Sequence, residues 1–421
     1  MLGQRRSGVS RLLVAAVGVA LVAAGTATAS AADRTVAAAP TTAAMRDVLL
    51  VGNNWDGTAD IIDVHTYQRV RRVNVIPDKD ARMREIYLDP VRLAAFLFIR
   101  DQLGEGHDQF VDDMYVSGDG RTLFASRPSF GDVVAIDLAT GQVKWRRRVD
   151  GLRADHMAIS PDRTRLAVSA STAKLVDIID TVTGAIVGTF PSGDSPHENN
   201  YSKDGTKIFH ASIGNVYTAL DDPSMDATKG ERVFEIVDSR TLKVLRKVNI
   251  ADKLTELGLT GMSSAVRPMA LSPDERYAYL QVSFFHGFVE YDLQTDTVIR
   301  VAHLPVPEET RKLRRDQYVL DSAHHGIAMS GDGTKLCVAA TMSNYAGIVS
   351  RETFRYTVLP LGARTYWATT SADGNYCYVS VAGDDTVSVI SYDTETEVAR
   401  VPVGDHPQRA RTAQVAEAVL S

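Results

Sequence analysis

Cysteine is almost absent from this 421-residue chain, which contains only Cys337 and Cys377. No C-x-x-C pair is therefore present, and the chain also lacks a G-x-S-x-G nucleophile elbow, an H-E-x-x-H pair and a P-loop. A G-x-G-x-x-G sequence in a βαβ context is missing as well. These absences leave thiol redox chemistry, a conventional serine triad and nucleotide use without support.

An excess of positive charge is also missing. The chain carries 46 basic and 52 acidic side chains, which gives a formal net charge of −6 at pH 7. Loss of an N-terminal signal containing Arg5, Arg6 and Arg11 would make it more acidic still. This balance argues against nucleic acid or an anionic membrane surface as the main partner.

The first 31 residues have the composition of a secretory signal peptide. A charged region containing Arg5, Arg6 and Arg11 precedes an apolar stretch from Leu12 to Ala24, and Ala29-Ser30-Ala31 forms an A-x-A cleavage site. The apolar stretch is too short for a comfortable membrane span, and no cysteine follows it to carry a lipid. We therefore expect a secreted protein without a membrane anchor, exported by general secretion rather than the twin-arginine route, with a disordered leader at 32–45.

A short motif repeats six times, each time as a hydrophobic strand that ends in a Ser-x-Asp turn. The copies are Met114–Gly120, Met157–Arg163, Asn199–Gly205, Met269–Glu275, Ile327–Gly333 and Ala368–Gly374. Three of the intervals between the turn serines are about 42 residues long. A repeat of this length, with several short strands in each copy, is typical of a β-propeller.

Counting the copies predicts an all-β, seven-bladed β-propeller over residues 46–415. The N-terminal piece Asp47–Pro77 has three strands without an inner one, whereas Gln408–Ala413 aligns with an inner strand and has no successors. Pairing the two pieces would complete one blade and close the ring without exposed strand edges. We expect this domain of about 370 residues to be a monomer.

The third and fourth strands of the copies carry a more specific pattern. Val176–Thr181, Ser391–Thr394 and Val403–Pro407 supply the V-x-V-I-D-x-x-T and V-G-x-x-P elements. In these elements the chain resembles the YVTN-repeat (YncE-like) family of bacterial, secreted seven-bladed propellers, over about residues 47–413. The resemblance implies the fold; because propellers of this kind include lactonases and streptogramin-opening lyases, it implies an enzyme class only by analogy.

Four segments exceed the repeat and are expected to form helical insertions on one face of the ring, at about 78–111, 219–231, 251–264 and 305–323. In the first, Asp89-Pro90 has the form of a helix N-cap followed by proline at the first helical position, and Gly104 would end the helix. Loops concentrated on one face commonly build or cover a site. An accumulation of insertions wherever the ring tolerates them is the alternative.

Residues four and five positions before each of the six turn serines, and the aligned residues of the last strand, would lie at the mouth of the central channel on that same face. They are Asp112-Asp113, Asp155-His156, His197-Glu198, Arg267-Pro268, His325-Gly326, Tyr366-Trp367 and Gln408-Arg409, with His324 one residue further out. Four of the ten histidines fall in this narrow register. Solvated or mutually hydrogen-bonded polar residues are also common in propeller channels, so a purely structural role is the alternative.

Two chemistries fit this ring, which we interpret as a small-molecule or short-peptide site. His156, His197 and His325, with Glu198 or Asp113, could hold one divalent metal ion that polarises an oxygen or activates water. Without metal, histidines and carboxylates could act as acid and base while Arg267 and Arg409 hold an anionic group. The catalytic candidates are His156, His197, Glu198, His325 and Asp113, and the ligand-binding candidates are Arg267, Tyr366, Trp367, Arg409, His324, Asp112 and Asp155.

The function predicted from these residues is metal-assisted or His/carboxylate acid–base chemistry of the hydrolase, lyase or isomerase type, with copper-dependent redox chemistry less favoured. A non-catalytic secreted module that binds a peptide, glycan or cell-wall ligand is the alternative. Trp55, Phe285, His286 and Tyr345 on loops of the same face could stack on a ligand. The two cysteines lie on second strands of neighbouring blades, where a disulfide and two buried thiols are both possible.

Overall fold

The computed structural model describes residues 44–218 and 222–420. The signal peptide expected at 1–31 lies outside the described residues, as does the leader up to residue 43. The first strand begins at Met45. Among the described residues, no helix combines the length and the apolar character that crossing a membrane requires.

The chain forms seven four-stranded antiparallel sheets, the blades of a seven-bladed β-propeller, as predicted. Blade 1 contains β1 (Met45–Asn53), β2 (Thr58–Asp63), β3 (Arg69–Asn74) and the last strand, β28 (Pro407–Ala416). Blade 2 contains β4 (Met114–Val116), β5 (Thr122–Arg127), β6 (Asp132–Asp137) and β7 (Val143–Arg148). Blade 3 contains β8 (Ala154–Ile159), β9 (Arg165–Ala170), β10 (Leu175–Asp180) and β11 (Ile186–Pro191). Blade 4 contains β12 (Pro196–Tyr201), β13 (Lys207–Ser212), β14 (Phe234–Asp238) and β15 (Val244–Val248). Blade 5 contains β16 (Val266–Leu271), β17 (Tyr277–Val282), β18 (Gly287–Asp292) and β19 (Thr297–His303). Blade 6 contains β20 (Gly326–Met329), β21 (Lys335–Ala340), β22 (Tyr345–Ser350) and β23 (Tyr356–Pro360). Blade 7 contains β24 (Thr365–Thr370), β25 (Tyr376–Val381), β26 (Thr386–Ser391) and β27 (Thr396–Pro402).

The ring closes through its two ends. Strand β28 pairs antiparallel with β1, with Met45 opposite Ala416 and Val51 opposite Ala410. The last strand is therefore the inner strand of the first blade, which confirms the predicted closure. Every blade gains a neighbour on both sides in this way, and no strand edge is left open at the seam.

The repeated Ser-x-Asp turns owe their conformation to their own side chains. In each of the six copies the serine Oγ donates to the aspartate two residues later. The same Oγ accepts the backbone N–H five residues after it, on the second strand. Such local side-chain bonds satisfy backbone groups that the strands cannot pair, which is why one short motif recurs at the same place in six blades.

The hydrophobic core lies between blades rather than at the centre of the ring. One cluster packs Tyr279 and Phe288 of blade 5 against Ile327, Leu336 and Val338 of blade 6. Alternating residues of both facing sheets contribute to it, as expected when two sheets pack face to face. The centre is left to the inner strands, and their polar residues therefore face one another.

A disulfide joins Cys337 on β21 to Cys377 on β25, across the interface of blades 6 and 7. Of the two alternatives open from the sequence, the structure shows the crosslink. Forty residues separate the two cysteines in sequence. The bond therefore closes a long loop and adds a covalent link between two blades that also share hydrogen bonds, such as the one that Thr370 Oγ1 donates to the Met329 carbonyl oxygen.

The longer connections contain the helices. The insertion between β3 and β4 holds α1 (Lys79–Tyr87) and α2 (Pro90–Phe98), followed by one π-helical turn. The Asp89 carboxylate accepts the N–H groups of Val91 and Arg92, so this residue caps α2 as predicted. The connection from blade 4 to blade 5 contains α3 (Ile250–Glu256), and the one from blade 5 to blade 6 contains α4 (Glu308–Arg311).

Candidate functional site

The seven inner strands bring the predicted mouth residues into one buried cluster. Residues far apart in sequence become neighbours because each inner strand presents its first side chains to the same channel. His156, His197 and His325 expose only 2%, 4% and 2% of their surface. We call these three side chains the histidine trio.

The geometry of the histidine trio suits a metal ion. One nitrogen of each imidazole lies within 4.8 Å of the others. The Nε2 atoms of His197 and His325 are 3.4 Å apart. Two ligands about 2.0–2.1 Å from a tetrahedral ion would be separated by about 3.3 Å, so the two nitrogens already stand at the spacing that such an ion requires.

Glu198 holds His156 in place. Its Oε2 lies 2.9 Å from His156 Nδ1. Burial raises the pKa of Glu198, but the ionised carboxylate can only accept, so in that form Nδ1 carries the proton and the lone pair lies on Nε2. Ligating histidines commonly have such a carboxylate partner, which orients the ring and makes it a stronger ligand.

The histidine trio is electrically neutral at physiological pH. Burial lowers the pKa of each of the three imidazoles well below its ordinary value of 6.5, and the charges of Arg409 and other cations lower it further. A neutral imidazole is the form that binds metal ions. The Nδ1 atoms of His197 and His325 have no hydrogen-bond partner within the described part of the chain.

The carboxylates of the cluster are not equivalent. Asp113 accepts two hydrogen bonds from Arg411, at 2.9 and 2.7 Å, and one from the Met157 backbone N–H. Burial alone would raise the pKa of Asp113, but Arg411 and Arg409 together hold it below its usual value. Asp113 is therefore engaged in an ion pair, which limits its freedom to act as a base or a ligand.

Asp112 has the opposite environment. Its Oδ2 has no hydrogen-bond partner among the described residues, and it lies 3.9 Å from His156 Nε2. Burial and the nearby charge of Asp155 raise the pKa of Asp112 to about 7. With Asp155 and His156, Asp112 forms a second group whose ligand atoms lie within 4.8 Å of one another.

Two residues that the sequence analysis did not select belong to the cluster. Arg411 pairs with Asp113, and Arg153 pairs with Asp155 while also donating to Gln109 Oε1 at 3.3 Å. Each lies two positions from a selected residue, Arg409 or Asp155, on the same strand or directly before it. Because side chains alternate along a strand, this spacing of two was the available signal that they share a face.

The aromatic candidates support the charged ones. The Arg409 guanidinium stacks 3.8 Å from the Trp367 ring, and Tyr366 stacks on His325 at a centroid distance of 4.3 Å. His324 packs edge-on against His286 and Tyr345, away from the histidine trio. Neither ring nitrogen of His324 has a hydrogen-bond partner in the ranges that the structure describes.

The first insertion crosses the mouth and explains the burial of the cluster. It starts after blade 1, yet Phe98 packs edge-on against Tyr217 of blade 4 at 4.9 Å. Further along, Glu105 pairs with Arg364, on the connection between blades 6 and 7, at 2.5 Å. Only a segment that spans the ring can make both contacts. We call residues 88–110 the cover.

Two other surface features of the described residues do not bring together histidines and unpaired carboxylates as the cluster does. Trp55 is stacked between His107 and His406, with both centroid distances 3.8 Å, and its faces are therefore occupied by the protein's own rings. A groove of about 610 Å³ lies at the outer side of blades 5 and 6. Its Glu290 already accepts from Tyr279 and Arg300. These paired charges are typical of a structural network.

Comparison with known proteins adds information on the fold alone. No protein-family model matches the chain, and no curated protein matches it in sequence. Among solved structures, it is similar to the hydrazine synthase of Kuenenia stuttgartiensis, with a TM-score of 0.53 and 17% sequence identity. The match covers 70% of this chain and 88% of that chain. At this identity the likeness shows a shared β-propeller fold, and the function must be argued from the site.

Proposed function

We propose that this protein is a secreted, metal-dependent β-propeller that binds a small molecule at its covered channel mouth. The histidine trio would hold one divalent transition-metal ion, and Glu198 would orient His156 toward it. The single observation that carries this proposal is the convergence of three neutral, buried imidazoles, two of them with Nε2 atoms 3.4 Å apart. Three imidazole ligands suit zinc, copper, iron or nickel.

Three protein ligands leave one position of a tetrahedral ion open, as in catalytic zinc sites. An ion held there would polarise a substrate oxygen or activate water. The protein's own groups would complete the site. The cover would exclude bulk water, and Asp112 and Asp155, which lie beside His156, would accept a proton or a hydroxyl hydrogen bond from the substrate. This arrangement supports hydrolase or lyase chemistry over the broad aromatic surface expected of a peptide- or glycan-binding module.

Export is part of the proposal. A disulfide in a chain with only two cysteines supports an oxidising compartment, in agreement with the predicted signal peptide. The V-x-V-I-D-x-x-T and V-G-x-x-P elements support the YVTN-repeat relationship. Export would be tested by N-terminal sequencing of the protein from culture medium, where a start after Ala31 is expected.

Elemental analysis of the purified protein, before and after incubation with Zn²⁺, Co²⁺ and Cu²⁺, tests the metal centre. We expect one ion per chain, and a Co²⁺ visible spectrum of tetrahedral intensity. The His156→Ala/His197→Ala variant should lose the ion. The His65→Ala variant should keep it, because His65 is exposed and lies in the turn between β2 and β3, outside the buried cluster. Folded wild-type protein that takes up no stoichiometric ion under any of these conditions would overturn the proposal.

A further inference from the structure

Arg267 is a buried cation without a matching anion. Its Nε donates to Ser283 Oγ at 2.9 Å, and its Nη2 donates to the Leu320 carbonyl oxygen. It makes no ion pair with any carboxylate of the described residues. Asp321, the carboxylate whose charge acts most strongly on it, is paired with Lys229 at 2.6 Å instead.

Arg409, on blade 1, is also incompletely satisfied. It is fully buried, and neither its Nε nor its Nη1 has a hydrogen-bond acceptor among the residues that the structure describes. Carboxylate oxygens of Asp112, Asp113 and Glu198 lie 3.6–3.8 Å away, beyond hydrogen-bonding distance. Its Nη2 contacts both ring nitrogens of His156.

The charges of the cluster leave no spare negative group. The carboxylates are Asp112, Asp113, Asp155 and Glu198, and the guanidinium groups are Arg153, Arg267, Arg409 and Arg411. The cluster thus holds as many guanidinium groups as carboxyl groups, so its carboxylates can at most balance its cations. A divalent ion would add two positive charges to a site closed off from water, where unbalanced charge is strongly unfavourable. Its occupant must therefore bring negative charge.

We propose that the ligand of this site is a small molecule with one oxyanion group, a carboxylate or a phosphate, bound between Arg267 and Arg409 beside the histidine trio. This inference rests on the proposed function and names its substrate class. The planar guanidinium matches the geometry of both oxyanions, and stacking on Trp367 holds Arg409 in one orientation. When the ion and the anion are bound, Arg409 would exchange its contact with His156 for the anion.

The test uses the full folded protein, metal-free and loaded with Co²⁺. Sodium acetate and inorganic phosphate are titrated separately at constant ionic strength, with binding followed by calorimetry and by the visible spectrum of Co²⁺. We expect at least one of the two anions to bind saturably to the loaded protein. Arg267→Gln and Arg409→Gln should each weaken it by about 10- to 100-fold, because each removes charge-assisted hydrogen bonds.

Matched variants separate this inference from a general loss of structure. Arg400→Gln changes an exposed arginine on the outer strand β27, where it pairs with Glu397, and this variant should bind the anion as wild type does. Arg409→Gln should bind Co²⁺ at least as tightly as wild type, because it removes a cation that contacts His156. If Arg409→Gln does not fold, Arg409→Lys replaces it as the test variant. Lysine keeps the charge but lacks the planar guanidinium, so the affinity for the anion should still fall.

The outcomes distinguish the two proposals. Co²⁺ binding with no saturable anion binding, or with anion affinities unchanged in Arg267→Gln and in the Arg409 variants, would overturn this inference and leave the metal centre intact. Anion binding that depends on both arginines in a protein that takes up no metal would support this inference and overturn the metal centre.

Discussion

Glu198 Oε2 and His156 Nδ1 stand 2.9 Å apart, and the contact joins the inner strands of blades 3 and 4. A second hydrogen bond, from Asn200 Nδ2 at 3.2 Å, holds the other carboxylate oxygen. The carboxylate is thus fixed from two sides before it orients the imidazole. Such a supporting group determines how well a ligand is placed without touching the ion itself.

Replacing Glu198 by glutamine should therefore weaken metal binding. An amide is a poorer acceptor and does not select the tautomer that leaves Nε2 free, so we expect about a 10- to 100-fold loss of Co²⁺ affinity. Competition with a chromophoric chelator measures it. Glu235→Gln, a buried carboxylate on β14 outside the ring, is the control and should keep wild-type affinity. Equal affinities in all three proteins would refute the role of Glu198.

The cover should control access to the site. Glu105 and Arg364 are about one-third exposed, and exposed ion pairs contribute about 0.2–1 kcal/mol. Glu105→Arg or Arg364→Glu should therefore speed the loss of bound Co²⁺ to excess chelator, by up to about fivefold. The charge-swapped double variant should recover most of the wild-type rate. Unchanged rates in both single variants would show that the pair does not hold the cover closed.

Loss of the disulfide should destabilise the ring. Cys337 and Cys377 close a loop of forty residues, for which the chain-entropy estimate is about 4 kcal/mol. A Cys337→Ser/Cys377→Ser variant should lose up to that amount of unfolding free energy in urea, at unchanged metal stoichiometry because neither sulfur is in the cluster. Two thiols that react with a thiol reagent in the native, unreduced wild-type protein would contradict the crosslink.

Stability should fall in mild acid, partly because of His210 on β13. Its Nε2 bonds to Ser192 Oγ, its Nδ1 lies 2.9 Å from Asn199 Oδ1, and burial lowers its pKa to about 3. Below pH 6.5 His210 binds a proton in the unfolded chain but stays neutral in the folded state, so protonation favours unfolding. This residue alone should cost about 2 kcal/mol between pH 7 and pH 5.

Urea unfolding of His210→Gln at both pH values measures this contribution. The variant should lose less stability on acidification than wild type, by about 2 kcal/mol, even if it is less stable overall. His65→Gln, an exposed histidine, should show the wild-type dependence. An identical pH dependence in all three proteins would show that His210 is not buried in its neutral form.

The order of the strands could be predicted from sequence because the repeated turns depend on local rules, and the closure of the ring because the incomplete first and last repeats complement each other. A serine that accepts the N–H five residues later makes the same turn in each copy, whatever surrounds it. Asp89 likewise caps α2 through bonds to residues two and three positions away. The register of the turn serine then located His156, His197 and His325 at the mouth, because the same turn ends each of these inner strands and residues equally far before it lie at one level.

Which of those residues pair with one another was decided by the tertiary structure alone. Asp112 and Asp113 are neighbours in sequence, yet one is held by Arg411 and the other has an unpaired oxygen. The choice depends on the tilt and twist of seven strands that converge from distant parts of the chain, and no local pattern encodes those angles. The crossing of the mouth by the cover has the same origin, since its partners Tyr217 and Arg364 lie on blades that only ring closure brings within reach.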